Sequence, residues 1–264
     1  MTPEAEFNLG GVVKEQLLEL QEFTLLLWRG FRNIFQRPFY FDDTLRQMDV
    51  IGVGSLPIVI LTGFFTGAVM ALQLSATLAA YGQVERTGEL VAISLVRELG
   101  PVLASLMVAG RNASGMASEL GSMVVTEQID AMRALGTDPI KKLVTPRLVA
   151  TLIMNFFLAI IADIFGVIGG WIYAVLGIGL DSRQFWSSAF YALDFRDLVQ
   201  GLTKPVVFGI IVAAVGCYFG LRARGGTEGV GRATTQAVVA ASLLIIMSDF
   251  VISRVLITFI GQLH

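Results

Sequence analysis

The 264-residue sequence is poor in charge and in the side chains that hold metals. Charged residues make up only 15% of it, against about 25% in soluble domains, whereas 55% of the residues are hydrophobic. The single cysteine, Cys217, excludes a disulfide framework, and the single histidine, His264, argues against a zinc site. A net charge of −2 without a basic arm argues against a nucleic-acid partner. The composition therefore predicts an integral membrane protein without a metal site.

Five segments are long and apolar enough to cross a bilayer as helices, for which about 20 residues are needed. They are 50–72, 89–110, 148–180, 198–221 and 233–260. Ahead of them, residues 12–36 carry apolar side chains at helical spacing, with acids early and arginines late. This pattern predicts an amphipathic helix in the membrane interface, a short soluble helix being the alternative. The predicted fold is one all-α membrane domain over 1–264.

The basic residues between the predicted spans are unequally distributed. Of the 19 lysines and arginines, thirteen flank the spans on the side that includes the N-terminus, and three lie on the other side. Cytoplasmic loops carry an excess of Lys and Arg. The N-terminus is therefore predicted to be cytoplasmic and the C-terminus periplasmic.

Two adjacent opposite charges, Arg97 and Glu98, lie inside the second span, and Gly100 and Pro101 follow directly. One charged side chain at the bilayer centre costs at least about 2.5–3.5 kcal/mol on insertion scales, so such residues usually face a cavity or a partner. The charges therefore predict that the protein handles something within the membrane. A structural ion pair that joins helices is the alternative.

Small residues recur four positions apart in three spans. The pairs are Gly63 and Gly67, Gly166 and Gly170, and Gly216 and Gly220, and the second span continues with Ala113, Ala117 and Gly121. Such spacing allows helices to approach closely. We expect these positions to lie at helix–helix contacts.

The connection 111–147 is predicted to contain a short helix instead of a flexible linker. Ile129, Met132 and Leu135 form one apolar face, and Gly136 is placed to end the helix. A helix held out between two spans is suited to docking on another protein. A surface helix folded back on its own bundle is the alternative.

The same connection resembles the coupling loop of ABC-transporter permeases. The similar residues are Asp130–Met132, Ala134–Gly136, Pro139 and Val144–Pro146, with Asp130 where that loop typically has glutamate. From about Leu45 to the C-terminus, further motifs are similar, in order, to the MlaE/YrbE permease family. These motifs are Ser94–Pro101, Ala109–Arg111, Ser118–Gly121, Thr126–Gln128 and Gly231–Thr235.

This resemblance implies a homodimeric permease of the bacterial inner membrane. In that family the permease works with ABC ATPase subunits and a periplasmic ring of MCE-domain proteins to move phospholipid, or a related lipid, between the inner and outer membranes. The sequence has no G-x-x-x-x-G-K-[ST] motif, so the chain is expected to be a transport subunit without a cofactor, with ATP and Mg²⁺ bound on the partner ATPase. The ATPase-coupling residues that the resemblance implies are Glu127, Asp130, Ala131, Leu135, Gly136, Asp138 and Pro139.

A lipid cavity requires apolar walls for acyl chains and hydrogen-bond donors for a phosphate. The candidate substrate-binding residues are Met70, Gln73, Leu78, Tyr81, Arg97, Glu98 and Lys204. We expect one of Arg97 and Glu98 to line this cavity and the other to pair with a charge on another helix, with Lys204 as the partner of Glu98. Asp249 is expected to pair with Arg254.

Two other classes of function remain open at this point. An ion-coupled secondary carrier would use Arg97, Glu98, Asp163 and Asp249 as a relay, although five spans without an inverted repeat fit such carriers poorly. An intramembrane enzyme is disfavoured because the sequence has no Ser/His/Asp, HExxH or paired-aspartate arrangement.

Overall fold

The computed structural model describes residues 9–261, so His264 lies outside the described residues. Within this range the chain forms ten α-helices and no strands. The helices are α1 (Leu9–Ile34), α2 (Phe41–Ala79), α3 (Thr87–Ser94), α4 (Gly100–Val108), α5 (Ser114–Val125), α6 (Gln128–Ala134), α7 (Thr145–Ile178), α8 (Ser182–Ala192), α9 (Phe195–Leu221) and α10 (Gly226–Gly261).

Three π-helical turns lengthen the membrane helices: the first two join α3, α4 and α5 into one rod, and the third precedes α7 directly. They are Leu95–Leu99, Ala109–Ala113 and Ile140–Val144. With these turns included, five helical segments are long and apolar enough to cross a membrane, which confirms the predicted fold class. The segments are Phe41–Ala79, Val84–Val125, Ile140–Ile178, Phe195–Leu221 and Gly226–Thr258.

The first and third of these segments pack along each other through the predicted glycines. The carbonyl oxygen of Ala162 would lie 2.6 Å from a Cβ on Gly63, and a Cβ on Gly67 would collide with the carbonyl oxygen of Gly166. Backbones at this distance leave no room for a side chain. The glycine spacing therefore sets the distance between α2 and α7.

A second small-residue contact joins α5 to α9. A Cβ on Gly216 would lie 3.1 Å from the Cα of Ala113, and one on Gly220 would lie 3.0 Å from the Cα of Ala117. The second membrane segment was expected to end at residue 110 but continues to Val125. The contact with α9 explains this extension. The connection outside the bundle is accordingly shorter than the predicted 111–147.

The amphipathic helix predicted at 12–36 is α1, and its second half packs apolar side chains on the bundle. Leu27 and Phe31 are partly buried against Leu148 and its neighbours. Leu17 and Leu20 are 60% and 62% exposed. An apolar surface of this kind outside the bundle suits a helix in the membrane interface.

The helix α8 was not predicted from the sequence. The side chain of Asp181 accepts a hydrogen bond from the backbone N–H of Gln184, which caps the helix. Aspartate three positions before glutamine is an N-terminal helix signal, so the sequence did contain a sign of it. Below, the end of the bundle that carries α8 is called the α8 end, and the end that carries α6 is called the loop end.

Candidate functional site

A polar stripe on α9 is the basis of the candidate site. Asp197, Gln200 and Lys204 are three and then four residues apart, so they share one face of the helix, and all three are buried. Nearby, Gly201 lies against the backbone of Val96, where a Cβ would collide with the carbonyl oxygen. The close approach at Gly201 brings the π turn Leu95–Leu99 directly over this stripe.

Arg97, on this turn, pairs with Asp197. The Arg97 Nε donates to Asp197 Oδ1 at 2.6 Å, and the Nη2 of the same guanidinium also contacts that oxygen. The other oxygen of Asp197 accepts from the backbone N–H of Asp194 at 3.0 Å, so this carboxylate also caps α9. Asp197 is not among the residues predicted for the site, because it precedes the predicted start of the span at 198.

Glu98 pairs with Lys204, as predicted. Lys204 Nζ contacts Glu98 Oε2 and also lies 3.0 Å from Asp249 Oδ1 on α10. Gln200 Nε2 and Ser253 Oγ each donate to Glu98, at 3.3 Å. One buried ammonium therefore holds two carboxylates and joins three membrane segments.

Two expectations about these charges are wrong. Arg97 and Glu98 both pair with α9, whereas only one of them was expected to form an ion pair. Asp249 pairs with Lys204 instead of Arg254, which makes no ion pair with any described residue. The choice of Lys204 depends on how α9 and α10 pack, which the spacing along α10 does not reveal.

The paired charges differ in how far they remain accessible. The side chains of Arg97 and Glu98 are 43% and 40% exposed, whereas that of Lys204 is fully buried. An arginine has five N–H donors, and the Asp197 contacts engage only two of its nitrogens. Arg97 therefore keeps donors that a further group can reach, whereas the Lys204 ammonium is enclosed.

The four α2-side candidates lie apart from these pairs. Met70 packs partly buried against Val91 and Leu95, and Leu78 is half-buried. Gln73 and Tyr81 are exposed. The structure shows no contact between these side chains and the ion pairs, so their role in binding a substrate stays a prediction.

At the loop end, α6 is held in a defined position. Glu127 adopts a left-handed conformation with φ of 60°, and Gly136 does so with φ of 75°. The N–H of Thr137 bonds to the carbonyl of Met132, and that of Gly136 bonds to Arg133, which together form a Schellman motif. Gly136 therefore ends the helix, as predicted.

The apolar face of α6 is divided between the bundle and the outside. Ile129 is buried and Met132 packs beside it, while Leu135 is 83% exposed. The fold-back alternative is thus correct for Ile129 and Met132 and not for Leu135. Five of the other predicted coupling residues are exposed and one is buried. The exposed ones are Glu127, Asp130, Ala131, Gly136 and Asp138, and the buried one is Pro139.

An ion pair joins the two helices from which this connection projects. Arg147, in the first turn of α7, lies 2.7 Å from Glu119 on α5, and its side chain is only 4% exposed. The Arg147 Nη1 also donates to the carbonyl of Leu143 at 2.7 Å. Arg147 therefore fixes the base of the connection that carries α6.

Five membrane segments, ion pairs within the bundle and a short helix outside it define a multi-pass membrane transport protein. Residues 44–255 match the family described as Permease MlaE. A probable ABC transporter permease protein of Rickettsia typhi is 42% identical over 253 residues, covering 94% of this chain and 98% of the relative.

Two more distant relatives are similar over most of the chain. The intermembrane phospholipid transport system permease protein MlaE of Haemophilus influenzae is 35% identical, covering 82% of this chain and 84% of its own length. The chloroplastic protein TRIGALACTOSYLDIACYLGLYCEROL 1 of Arabidopsis thaliana is 34% identical, covering 86% of this chain and 68% of its own length. The chain belongs to the MlaE permease family and is an ABC transporter permease.

Proposed function

We propose that the chain is the membrane subunit of a homodimeric transporter that moves phospholipid between the inner and outer membranes of a bacterium. ATP and Mg²⁺ would bind a separate ATPase chain, and a periplasmic ring of MCE-domain proteins would receive or supply the lipid. Membership in the permease family supports this proposal, as does the phospholipid transport system named for the Haemophilus influenzae relative. The basic residues at the loop end support a cytoplasmic position for α6 and its neighbours.

The exposed face of α6 is the observation that carries the proposal. A permease without a phosphate-binding loop requires a surface on which an ATPase can act, and that surface has to be both exposed and fixed. Leu135 is 83% exposed, while Ile129 anchors the same helix in the bundle. We assign Leu135, with Ala131 beside it, as the contact with the ATPase.

For the lipid headgroup, Arg97 is the better placed of the two cations. Its guanidinium is partly exposed and retains donors for a phosphate, which arginine binds in a two-pronged geometry. Lys204 is fully buried between two carboxylates and serves to hold the helices together. Met70, Gln73, Leu78 and Tyr81 remain our candidates for the wall that faces the acyl chains.

A second copy of the chain is part of the proposal because residues 9–261 of one copy supply five membrane segments. The apolar face of α10 is open, with Leu243, Met247 and Phe250 exposed by 56%, 65% and 74%. We place the second copy against this face. Two copies would then enclose a path between them.

The experiment reconstitutes the permease with its ATPase in liposomes and follows transfer of a fluorescent phospholipid. We expect movement with ATP and none with a non-hydrolysable analogue. Leu135→Ala should release the ATPase during purification and abolish ATP-driven movement. Leu176→Ala is the matched control, since Leu176 is 82% exposed but lies at the α8 end.

Two results would contradict the proposal. If Leu135→Ala retained the ATPase as firmly as the control, α6 would not be the contact. If the purified permease moved lipid under a proton gradient without ATP, the ion-coupled carrier would be the correct function.

A further inference from the structure

A cavity of about 430 Å³ lies among α3, α7, α8 and α9, on the α8 side of the bundle. Its walls are apolar, formed by residues such as Val96, Val167, Trp186 and Leu202. Asp163 is the only charged residue among those that line it. None of the ion-paired charges of the candidate site takes part in this cavity, so the two are separate.

Asp163 has no partner for its carboxyl group. The residue is 8% exposed, and its buried Oδ1 makes no hydrogen bond or ion pair with any described residue. That oxygen lies against Gly100, where a Cβ would collide with it, so the other carboxyl oxygen of Asp163 is the one that can face the cavity. An unpaired polar group in apolar surroundings is costly, and an ionisable residue inside a membrane span usually has a function.

The cavity opens toward the bilayer. Ile164, Phe190 and Leu198 line it and are also 52%, 69% and 41% exposed, so they form its mouth. Ile164 and Leu198 belong to membrane segments. A molecule dissolved in the hydrocarbon can therefore enter from the side without crossing water.

We propose that this cavity binds one slender lipid molecule that is apolar over most of its surface and carries a single hydroxyl group, which donates a hydrogen bond to Asp163. A long-chain lipid alcohol has this chemistry. The volume lies within the range of about 300–1,000 Å³ that is typical of small-molecule sites. A phospholipid headgroup does not fit this cavity, because no lysine or arginine lines it. Binding here requires neither ATP nor the transport path proposed above.

The test uses the purified full-length chain in phosphatidylcholine nanodiscs, without the ATPase. The probe is hexadecanol with a photoreactive diazirine in its chain, and the matched probe is its methyl ether, which cannot donate a hydrogen bond. After illumination, we expect the alcohol to label peptides of α7 around Ile164 and of α8. The ether should label them about fivefold less, the ratio that one hydrogen bond supplies.

Two variants locate the effect. In Asp163→Leu the acceptor is gone, so the alcohol and the ether should label equally. Val167→Phe keeps Asp163 and fills the cavity, so labelling by both probes should fall. This second variant keeps the test valid should Asp163→Leu fail to fold.

The proposal is overturned if the native protein takes up the alcohol and the ether equally, which would indicate contact with surrounding lipid alone. It is also overturned if Asp163→Leu, eluting as a single species, keeps the preference for the alcohol. Neither result depends on phospholipid transport, so a failure here leaves the transport proposal unaffected.

Discussion

The two halves of α9 bind their neighbours by different means. The half near the α8 end, with Asp197 and Lys204, is joined to the π turn and to α10 by ion pairs. The other half, with Gly216 and Gly220, contacts α5 through small residues at backbone distance. Arg97 and Glu98, which pair with the first half, remain partly exposed, while the second half leaves no space. The substrate site that we propose thus lies in the half where charges, and not backbone contacts, hold the helices.

The largest effect is expected where the ion pairs are broken. Lys204→Met leaves Glu98 and Asp249 without their shared cation in the membrane, and breaking a buried pair typically costs about 3–5 kcal/mol. The free energy of unfolding in mixed micelles measures this loss. Thr203→Met, at an exposed neighbouring position on the same helix, should change it little.

A charge exchange tests whether Glu98 and Lys204 act as a pair. The double variant Glu98→Lys with Lys204→Glu should be more stable than either single variant, because opposite charges then face each other again. A double variant no better than the single ones would show that the contact does not stabilise the protein.

A smaller effect is expected in the other half of α9. Gly216→Val places a side chain against the Cα of Ala113, and overfilling a packed contact typically costs about 1–3 kcal/mol. Gly110→Val is the matched control, since a Cβ there meets nothing within 4 Å. Equal losses of unfolding free energy in the two variants would mean that only helix propensity is being measured.

The smallest effect is expected at the boundary between the halves. Asn155 donates to Ser105 Oγ at 2.9 Å and to the carbonyl of Pro205 at 2.8 Å. A hydrogen bond between membrane helices contributes about 0.6 kcal/mol on average, so Asn155→Leu, which removes two, should cost about 1 kcal/mol. A double-mutant cycle with Ser105→Ala measures the coupling, and strict additivity would contradict a direct bond.

The sequence was sufficient to predict the membrane segments and one of the buried ion pairs, Glu98 with Lys204. Long apolar runs have few alternatives to spanning a bilayer, and Glu98 and Lys204 were matched because a charge in hydrocarbon needs a partner at its own depth. The glycine spacing likewise predicted that Gly63, Gly67 and Gly166 lie at helix–helix contacts, although it did not show which helices meet there. In each case the constraint is local or is imposed by the membrane.

The remaining features depend on tertiary packing. Both Arg97 and Glu98 reach α9 because the π turn Leu95–Leu99 approaches that helix at Gly201. A hydrophobic pattern does not show where a helix changes to π-type hydrogen bonding. Asp249 lies close to Arg254 along the chain, but in the folded protein its ion-pair partner is Lys204. The sequence showed Asp163 only as a charge in a span, while its cavity is formed by four separate helices.

The Glu119–Arg147 pair has a mechanical consequence. The ion pair joins α5 to α7 at the point where α6 projects from the bundle. A force applied at Leu135 is therefore transmitted to both of these helices. The left-handed residues Glu127 and Gly136 mark where α6 begins and ends. A force applied to α6 from outside the bundle would therefore move α5 and α7 together.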